Sequence, residues 1–244
     1  MRKFTFVGAL LAVLALGVVA VSAFGADNTV WLCKEKPIIG ASERCLVDSE
    51  NEGVLHLEDM KADSAVECAS GSVLDEGWVG PGSEDETTTV EFMNPTVNCK
   101  PSPKALNAKE EEVTNVCEAV TAVEAQNLAW STLLELVGGE KEDQIKPGPS
   151  KNQPGYLVTC KTALGTIDDT CNTVAGKEAD VKVVNLPGTA TEPPLVTVEF
   201  SATILSELTA KCGVGGAESG LVVGNILFAA LVGGVLASLE VSAP

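Results

Sequence analysis

A two-residue alternation of apolar and polar side chains is the clearest signal along the chain. In Leu195–Leu205, Val196, Val198, Phe200 and Ala202 share one face, and Thr197, Glu199, Ser201 and Thr203 share the other. Successive strand residues point to opposite faces, so this segment predicts a strand with one face on a core and one in water. Val181–Leu186 predicts another strand, and Thr87–Phe92 a third through its β-branched residues. Val54–Glu58 alternates too, while Thr29–Lys34, Ala65–Cys68 and Leu128–Val137 are short runs of strand formers. Tyr156–Lys161 and Thr166–Thr170 flank the tight turn Ala163-Leu164-Gly165 and predict a hairpin.

Turn residues separate these runs, at Gly80-Pro81-Gly82, Asn94-Pro95, Pro187-Gly188 and Pro193-Pro194. Between Lys104 and Ala125 the pattern is mixed: Ala105, Leu106, Ala108 and Glu110–Glu112 favour a short helix over Lys104–Glu112, followed by a strand through Cys117. From Glu140 to Gly155 the chain is charged and rich in Pro and Gly, which predicts either a linker between two lobes or a long surface loop. The expected organisation is a β-rich lobe over 26–139, this loop or linker over 140–155, and a second β-rich lobe over 156–244. The second lobe is alternatively the remainder of the same sandwich. The fold class expected is mainly β: antiparallel and sandwich-like, with at most one or two short helices.

The two ends of the chain are apolar in different ways. Arg2 and Lys3 precede an uncharged run from Phe4 to Ala23, with small residues at Ala23-Phe24-Gly25. Basic head, apolar core and small-residue exit predict an export signal over residues 1–25, cleaved after Gly25 or, alternatively, after Ala23. An uncleaved anchor is the rival reading. At the other end, Leu221–Leu239 is almost wholly apolar, and no Lys or Arg lies between Gly213 and Pro244. Without a basic flank the tail predicts two buried strands, Leu221–Val232 and Val235–Val241, turning at Gly233-Gly234. A bilayer anchor over Leu221–Leu239 is the alternative.

All eight cysteines, at 33, 45, 68, 99, 117, 160, 171 and 212, follow the expected signal. An even number in an exported chain predicts a disulfide framework, and therefore a secreted or cell-envelope location. A zinc site is the competing reading, but there is no CxxC pair and His56 is the only histidine. Spacing suits local bridges Cys33–Cys45, Cys99–Cys117 and Cys160–Cys171, although eight cysteines allow on the order of a hundred pairings.

TVWLC, the Cys99/Cys117 region leading to NLAWSTLLEL, GYLVTC, and KCGVGGAESGLVVG form an ordered set across most of the mature chain. In these short motifs the protein resembles a group of exported, cysteine-bearing proteins of Thermoleophilia-type actinobacteria. That group carries no assigned activity, so the resemblance implies no catalytic residue. It does imply Cys68–Cys212 as the one long-range bridge.

Charge narrows the partners. The formal charge of −18 becomes about −20 once Arg2 and Lys3 leave with the signal. Such a surface repels nucleic acid and anionic lipid, and favours a cationic or cell-envelope partner. Of chemistry there is little sign. No GxSxG elbow, GxGxxG or phosphate-cradling loop is present, His56 sits in a strand as a structural residue, and Gly213–Gly216 reads as a turn. The acidic clusters Glu84–Glu86, Glu140–Asp143 and Asp168-Asp169 lack a calcium-ligand ladder and read as solvated loops. No cofactor, metal or catalytic residue is therefore expected. The pattern favours a non-enzymatic structural or binding module with an acidic surface. Two other readings stay open: a secreted hydrolase using paired carboxylates, and an envelope protein held by its C-terminal tail.

Overall fold

The computed structural model describes residues 29–242, apart from 39, 41, 108, 110, 147, 149–151, 175–178 and 201–209. The expected signal over 1–25 lies outside the described residues, as does the end of the Leu195–Leu205 run. In chain order the strands are β1 (Trp31–Cys33), β2 (Lys36–Pro37), β3 (Cys45–Asp59), β4 (Ser64–Cys68), β5 (Val73–Val79) and β6 (Glu84–Phe92). One turn of helix, α1 (Pro95–Asn98), then leads into β7 (Cys99–Pro101), β8 (Ala105–Leu106), β9 (Glu112–Val113), β10 (Ala119–Gln126), β11 (Trp130–Val137) and β12 (Glu140–Ile145). The remainder are β13 (Gly155–Thr162), β14 (Gly165–Asn172), β15 (Ala179–Leu186), β16 (Leu195–Phe200), β17 (Ala210–Cys212), β18 (Gly216–Val232), β19 (Val235–Ala237) and β20 (Leu239–Val241). The protein is mainly β and antiparallel, as its alternation predicts.

Eight strands close into a barrel in the order β3, β5, β6, β11, β12, β15, β16, β18, with β18 pairing back to β3. Closure removes the unpaired edges that an open sheet would expose. Register places Val47, Val79, Leu134, Val181, Val183, Val196 and Val198 in the interior, where they form one buried cluster. Each fully buried valine of this kind contributes about 1.5–3 kcal/mol relative to an exposed one. A small sheet, β2-β1-β20, packs on this cluster through Trp31, Leu239 and Val241.

The two longest strands do not stop at the barrel. β3 and β18 stay paired from Leu46↔Leu231 to Asp59↔Gly220, and beyond the barrel they become the middle of a second sheet, β10-β13-β14-β17-β18-β3-β4-β7. The changeover is a bulge between the Val223↔His56 and Asn225↔Glu52 pairs. Gly53 (φ +75°) and Gly224 (φ +148°) lie within it, and a Cβ on Gly224 would come within 2.9 Å of the Val54 carbonyl oxygen. Only glycine suits that backbone and that approach. Asn51 braces the bend: its Nδ2 donates to the carbonyls of Gly53 and Ala69 (2.8 Å each), and its Oδ1 accepts from the N–H groups of Ser72 (3.0 Å) and Val73 (2.9 Å).

Four disulfides join Cys33–Cys45, Cys68–Cys99, Cys117–Cys160 and Cys171–Cys212. Such a set points to an oxidising environment. Cys33–Cys45 is as expected from spacing; Cys99–Cys117, Cys160–Cys171 and Cys68–Cys212 are corrected. The hairpin β13–β14 shows why. Its two-residue turn aligns Cys160 with Ile167 and Cys171 with Tyr156, so the two sulfurs lie far apart along the ribbon. Each instead bonds away from the hairpin, Cys160 to Cys117 just ahead of β10 and Cys171 to Cys212 of β17. Cys68 stands directly opposite Cys99, and Cys171 directly opposite Cys212. Three of the bridges thereby tie neighbouring strands of the second sheet.

Three further expectations change. The segment Lys104–Glu112 is not a helix but the hairpin β8–β9, because the Asn107 side chain accepts from the N–H groups of Lys109 and Glu111 and makes a turn. The strand expected through Cys117 begins only at Ala119, since Asn115 ties that stretch to the backbone of Ala65 and Ser102. Residues 140–145 form β12, paired with both β11 and β15, and Gly155 already belongs to β13, so the loop or linker expected over 140–155 is corrected at both ends. Residues 221–239 run through β18 and β19 as the apolar pattern predicts; among the described residues no helix is long and apolar enough to cross a membrane.

Loop closure sets the expected weight of each bridge. Replacing Cys117 and Cys160 with serine, a separation of 43 residues, should lower unfolding stability by about 4 kcal/mol, against about 3 kcal/mol for Cys33 and Cys45, separated by 12. Urea titration of the two double variants measures this, and equal losses would contradict it.

Candidate functional site

Where the barrel opens toward the second sheet, the interior is not filled. A chamber of about 130 Å³ lies between them, walled by Leu57 of β3, Phe92 of β6, Trp130 of β11, Phe200 of β16 and Ile226 of β18. Its far wall is Tyr156 and Leu221 of the second sheet. The lining is apolar because inward positions of both sheets alternate with solvent-facing polar ones, and both sets of inward positions converge here.

The few polar groups in the wall are almost all committed. Tyr156 Oη donates within reach of two carbonyls, those of Glu58 (2.9 Å) and Leu221 (3.2 Å), and burial pushes its phenol above the usual range. Trp130 Nε1 donates to the Gln126 carbonyl at 2.8 Å, and Thr173 Oγ1 to Gln153 Oε1 at 3.4 Å. Asp75 differs. Its Oδ2 accepts from Ser49 Oγ at 3.0 Å, while its Oδ1 is sealed from solvent without a hydrogen bond.

Asp75 also lines a second, smaller cavity of about 30 Å³ inside the barrel, together with Asp85, Asp143, Ser49 and Thr132. That space has room for about two waters and is far too small for a sugar ring. The Oδ1 atoms of Asp85 and Asp143 are likewise buried without a partner. Register explains the grouping: Asp85 lies opposite Thr132, and Asp143 lies one strand further, opposite Leu134.

Burial raises all three acids. Asp75 is pushed up to about 7 by desolvation, with the Ser49 hydroxyl pulling the other way. Asp143 also rises to about 7 through burial, moderated by the charge of Lys146 and by the nearby Thr132 hydroxyl. Asp85 is held well above the ordinary range by burial and then by Asp143. The Trp31 indole N–H faces Asp85 and offsets part of this, though it stops short of hydrogen-bond geometry.

A second carboxyl pair lies in the other sheet. Asp59 accepts from the N–H groups of Lys61 (3.0 Å), Ala62 (3.2 Å) and Gly215 (2.6 Å), and Asp169 Oδ1 accepts from Val214 N–H at 3.0 Å. Asp169 is raised to about 7, first by burial and then by the Asp59 carboxyl beside it. Asp59, Asp169, Cys171 and Cys212 place potential ligand atoms within 4.8 Å of one another. The two sulfurs are joined to each other, however, and a disulfide offers no thiolate to a metal. This is a structural clasp at the β17–β18 turn.

The residues singled out from sequence thus have uneven fates. His56 lies on the outside of β3, with Nε2 2.9 Å from Glu58 Oε2. The buried Glu58 carboxylate also accepts from Leu106 N–H and so holds the β8–β9 hairpin down. Trp130 is a chamber wall. The acidic clusters are corrected from solvated loops to strands: Glu84 is exposed and Asp85 buried, Glu140 is exposed and Asp143 buried, and Asp169 faces inward beside Asp168. Asp75 is the residue that sequence reasoning missed. Its signal was its place in VLDEGWV, two positions from Val73 on the same strand face.

Compared with known proteins, the chain matches no family model, no curated protein and no solved structure.

The raised acids fix the sign of the pH dependence. Asp75 and Asp143 take up protons near pH 7 when folded but near 3.8 when unfolded, so between those values the native state binds more protons. Stability should therefore fall as pH rises from about 4 to about 7 and level off above. Asp143→Asn should flatten that slope and raise stability at pH 8 by something on the order of 1–3 kcal/mol. Urea midpoints from pH 4 to 9 test this; a stability that climbs through that window would contradict it.

Proposed function

We propose that the protein is an exported, non-enzymatic binding module that holds one small apolar molecule in the chamber between barrel and second sheet. The observation that carries this reading is the chamber itself: about 130 Å³, walled by apolar side chains from five barrel strands and from the sheet beyond. A cavity of about 150 Å³ lined by Leu, Ile and Phe is large enough to take benzene, so this one suits a molecule of similar bulk, a single small ring. Ligand sites in β-barrels commonly occupy the barrel mouth, which is where the chamber lies. Export is the reading for residues 1–25, and the four disulfides and the strongly acidic surface fit a protein that works outside the cytoplasm. The carboxyl pairs supply no room for a glycoside, which weighs against the hydrolase reading.

Toluene is a suitable probe, and Trp130 in the chamber wall is a built-in reporter. Titration should change the tryptophan emission saturably, with one molecule bound per chain. Ala125→Phe, which adds a ring from the half-buried β10 position into the chamber, should weaken toluene binding roughly tenfold or more while leaving the fold intact. Absence of saturable binding to the unsubstituted protein would end this reading.

A further inference from the structure

The two cavities share a wall, and that wall is a carboxyl group. Asp75 faces the apolar chamber on one side and the small barrel cavity on the other, with Oδ1 buried and making no hydrogen bond. Beyond it stand Asp85 and Asp143, each with one oxygen also sealed and unpartnered. Three such oxygens around one space are costly, because each buried acceptor without a donor forfeits about 1–3 kcal/mol. A single group carrying several N–H donors and a positive charge would relieve them. An ammonium head is about the size of a water molecule, and the 30 Å³ cavity admits that bulk.

We propose that the chamber and the acid-lined cavity are two halves of one site, whose ligand is a small primary ammonium ion bearing an apolar body of about benzene size. The inference rests on the chamber reading above and adds the head group to it. The body lies against Trp130, Phe92 and Ile226, and the ammonium donates to Asp75 Oδ1 at the entrance to the barrel interior. Alcohols offer one donor and no charge, and carboxylates would meet three acids, so both are disfavoured. The surface charge acts in the same direction, since a chain near −18 concentrates small cations and repels anions. Ser49 fixes the Asp75 rotamer by donating to Oδ2, leaving Oδ1 for the ligand. Ser49 and Asp75 are thus the positioning and recognition residues of the head, and the apolar wall recognises the body.

Calorimetric titration of the full chain with benzylamine, toluene, benzyl alcohol and benzoate separates the two levels of the claim. Benzylamine should bind tightest, toluene and benzyl alcohol roughly tenfold or more weaker, and benzoate not measurably. Asp75→Asn keeps the side-chain shape and should bring benzylamine down to the level of toluene, the ratio of the two affinities being the readout. Ser49→Ala, which frees the Asp75 rotamer without removing the acid, should weaken benzylamine less. If toluene and benzylamine bind alike, or Asp75→Asn leaves benzylamine unaffected, the ammonium assignment is overturned and the apolar chamber stands. If neither binds, the chamber reading fails and the head-group assignment fails with it.

Discussion

The pairing of β3 with β18 is the interaction on which everything else hangs. It closes the barrel along its lower length and forms the centre of the second sheet along its upper length. Without the bulge at Gly53 and Gly224 the same face of each strand would continue straight on, and the two sheets would be one flat ribbon. The bulge turns the ribbon, and with it the inward side chains of the second sheet face the open end of the barrel. Asn51 holds that bend with four hydrogen bonds and no unpaired atom, which is what a buried amide needs in order to stabilise rather than weaken a core. The disulfides are secondary to this arrangement. Three of them bind the strands of the second sheet, which lacks the hydrogen-bonded closure of the barrel.

Much of this was legible in the sequence, because alternation over Thr87–Phe92 and Val181–Leu186 is an image of one-sided burial; in β16, however, Thr197, expected in water, is buried along with Val196 and Val198 because both faces of that strand are covered. What the pattern could not carry was which strand neighbours which. The disulfide pairs failed for that reason: sequence separation rewards a bridge within a hairpin, whereas the bridges cross to strands brought in from farther along the chain, as with Cys171 and Cys212. The helix expected over Lys104–Glu112 failed because one side chain, Asn107, outbid the propensity of its neighbours by hydrogen bonding to their backbone.

The acidic runs were misread for a more general reason. Charge clusters are ordinarily solvated, and a strand hides this rule by sending every second residue inward. Asp85 and Asp143 each sit inside an acidic run, and each is the member whose strand phase points to the barrel interior. The period of two marks Asp143, in step with Ile145, as buried from the residues alone, whereas Asp85 is out of step with Val90 and Phe92 and is turned inward by the bulge at Thr88. Asp75 carries a weaker signal, since only its place two positions from Val73 on one strand face sets it apart from a surface acid.

A cavity and a set of unsatisfied acids have one physical feature in common: each leaves the isolated protein less stable than a sequence free to fill the space would be. At about 24 cal/mol for each Å³, an unfilled 130 Å³ forfeits roughly 3 kcal/mol of packing, before the buried acceptors are counted. The chain has few aromatic residues with which to fill it, only 4% of the whole, and it places four of them, Phe92, Trp130, Tyr156 and Phe200, around the space rather than in it. Packing for its own sake would turn one of those rings inward and pair the acids with donors from the protein. Leaving both undone makes sense when a second molecule completes them together, since its apolar body restores the packing and its charged head answers the oxygens. The bound state then recovers what the empty fold gives up, and the barrel and the second sheet meet around a ligand instead of around one another.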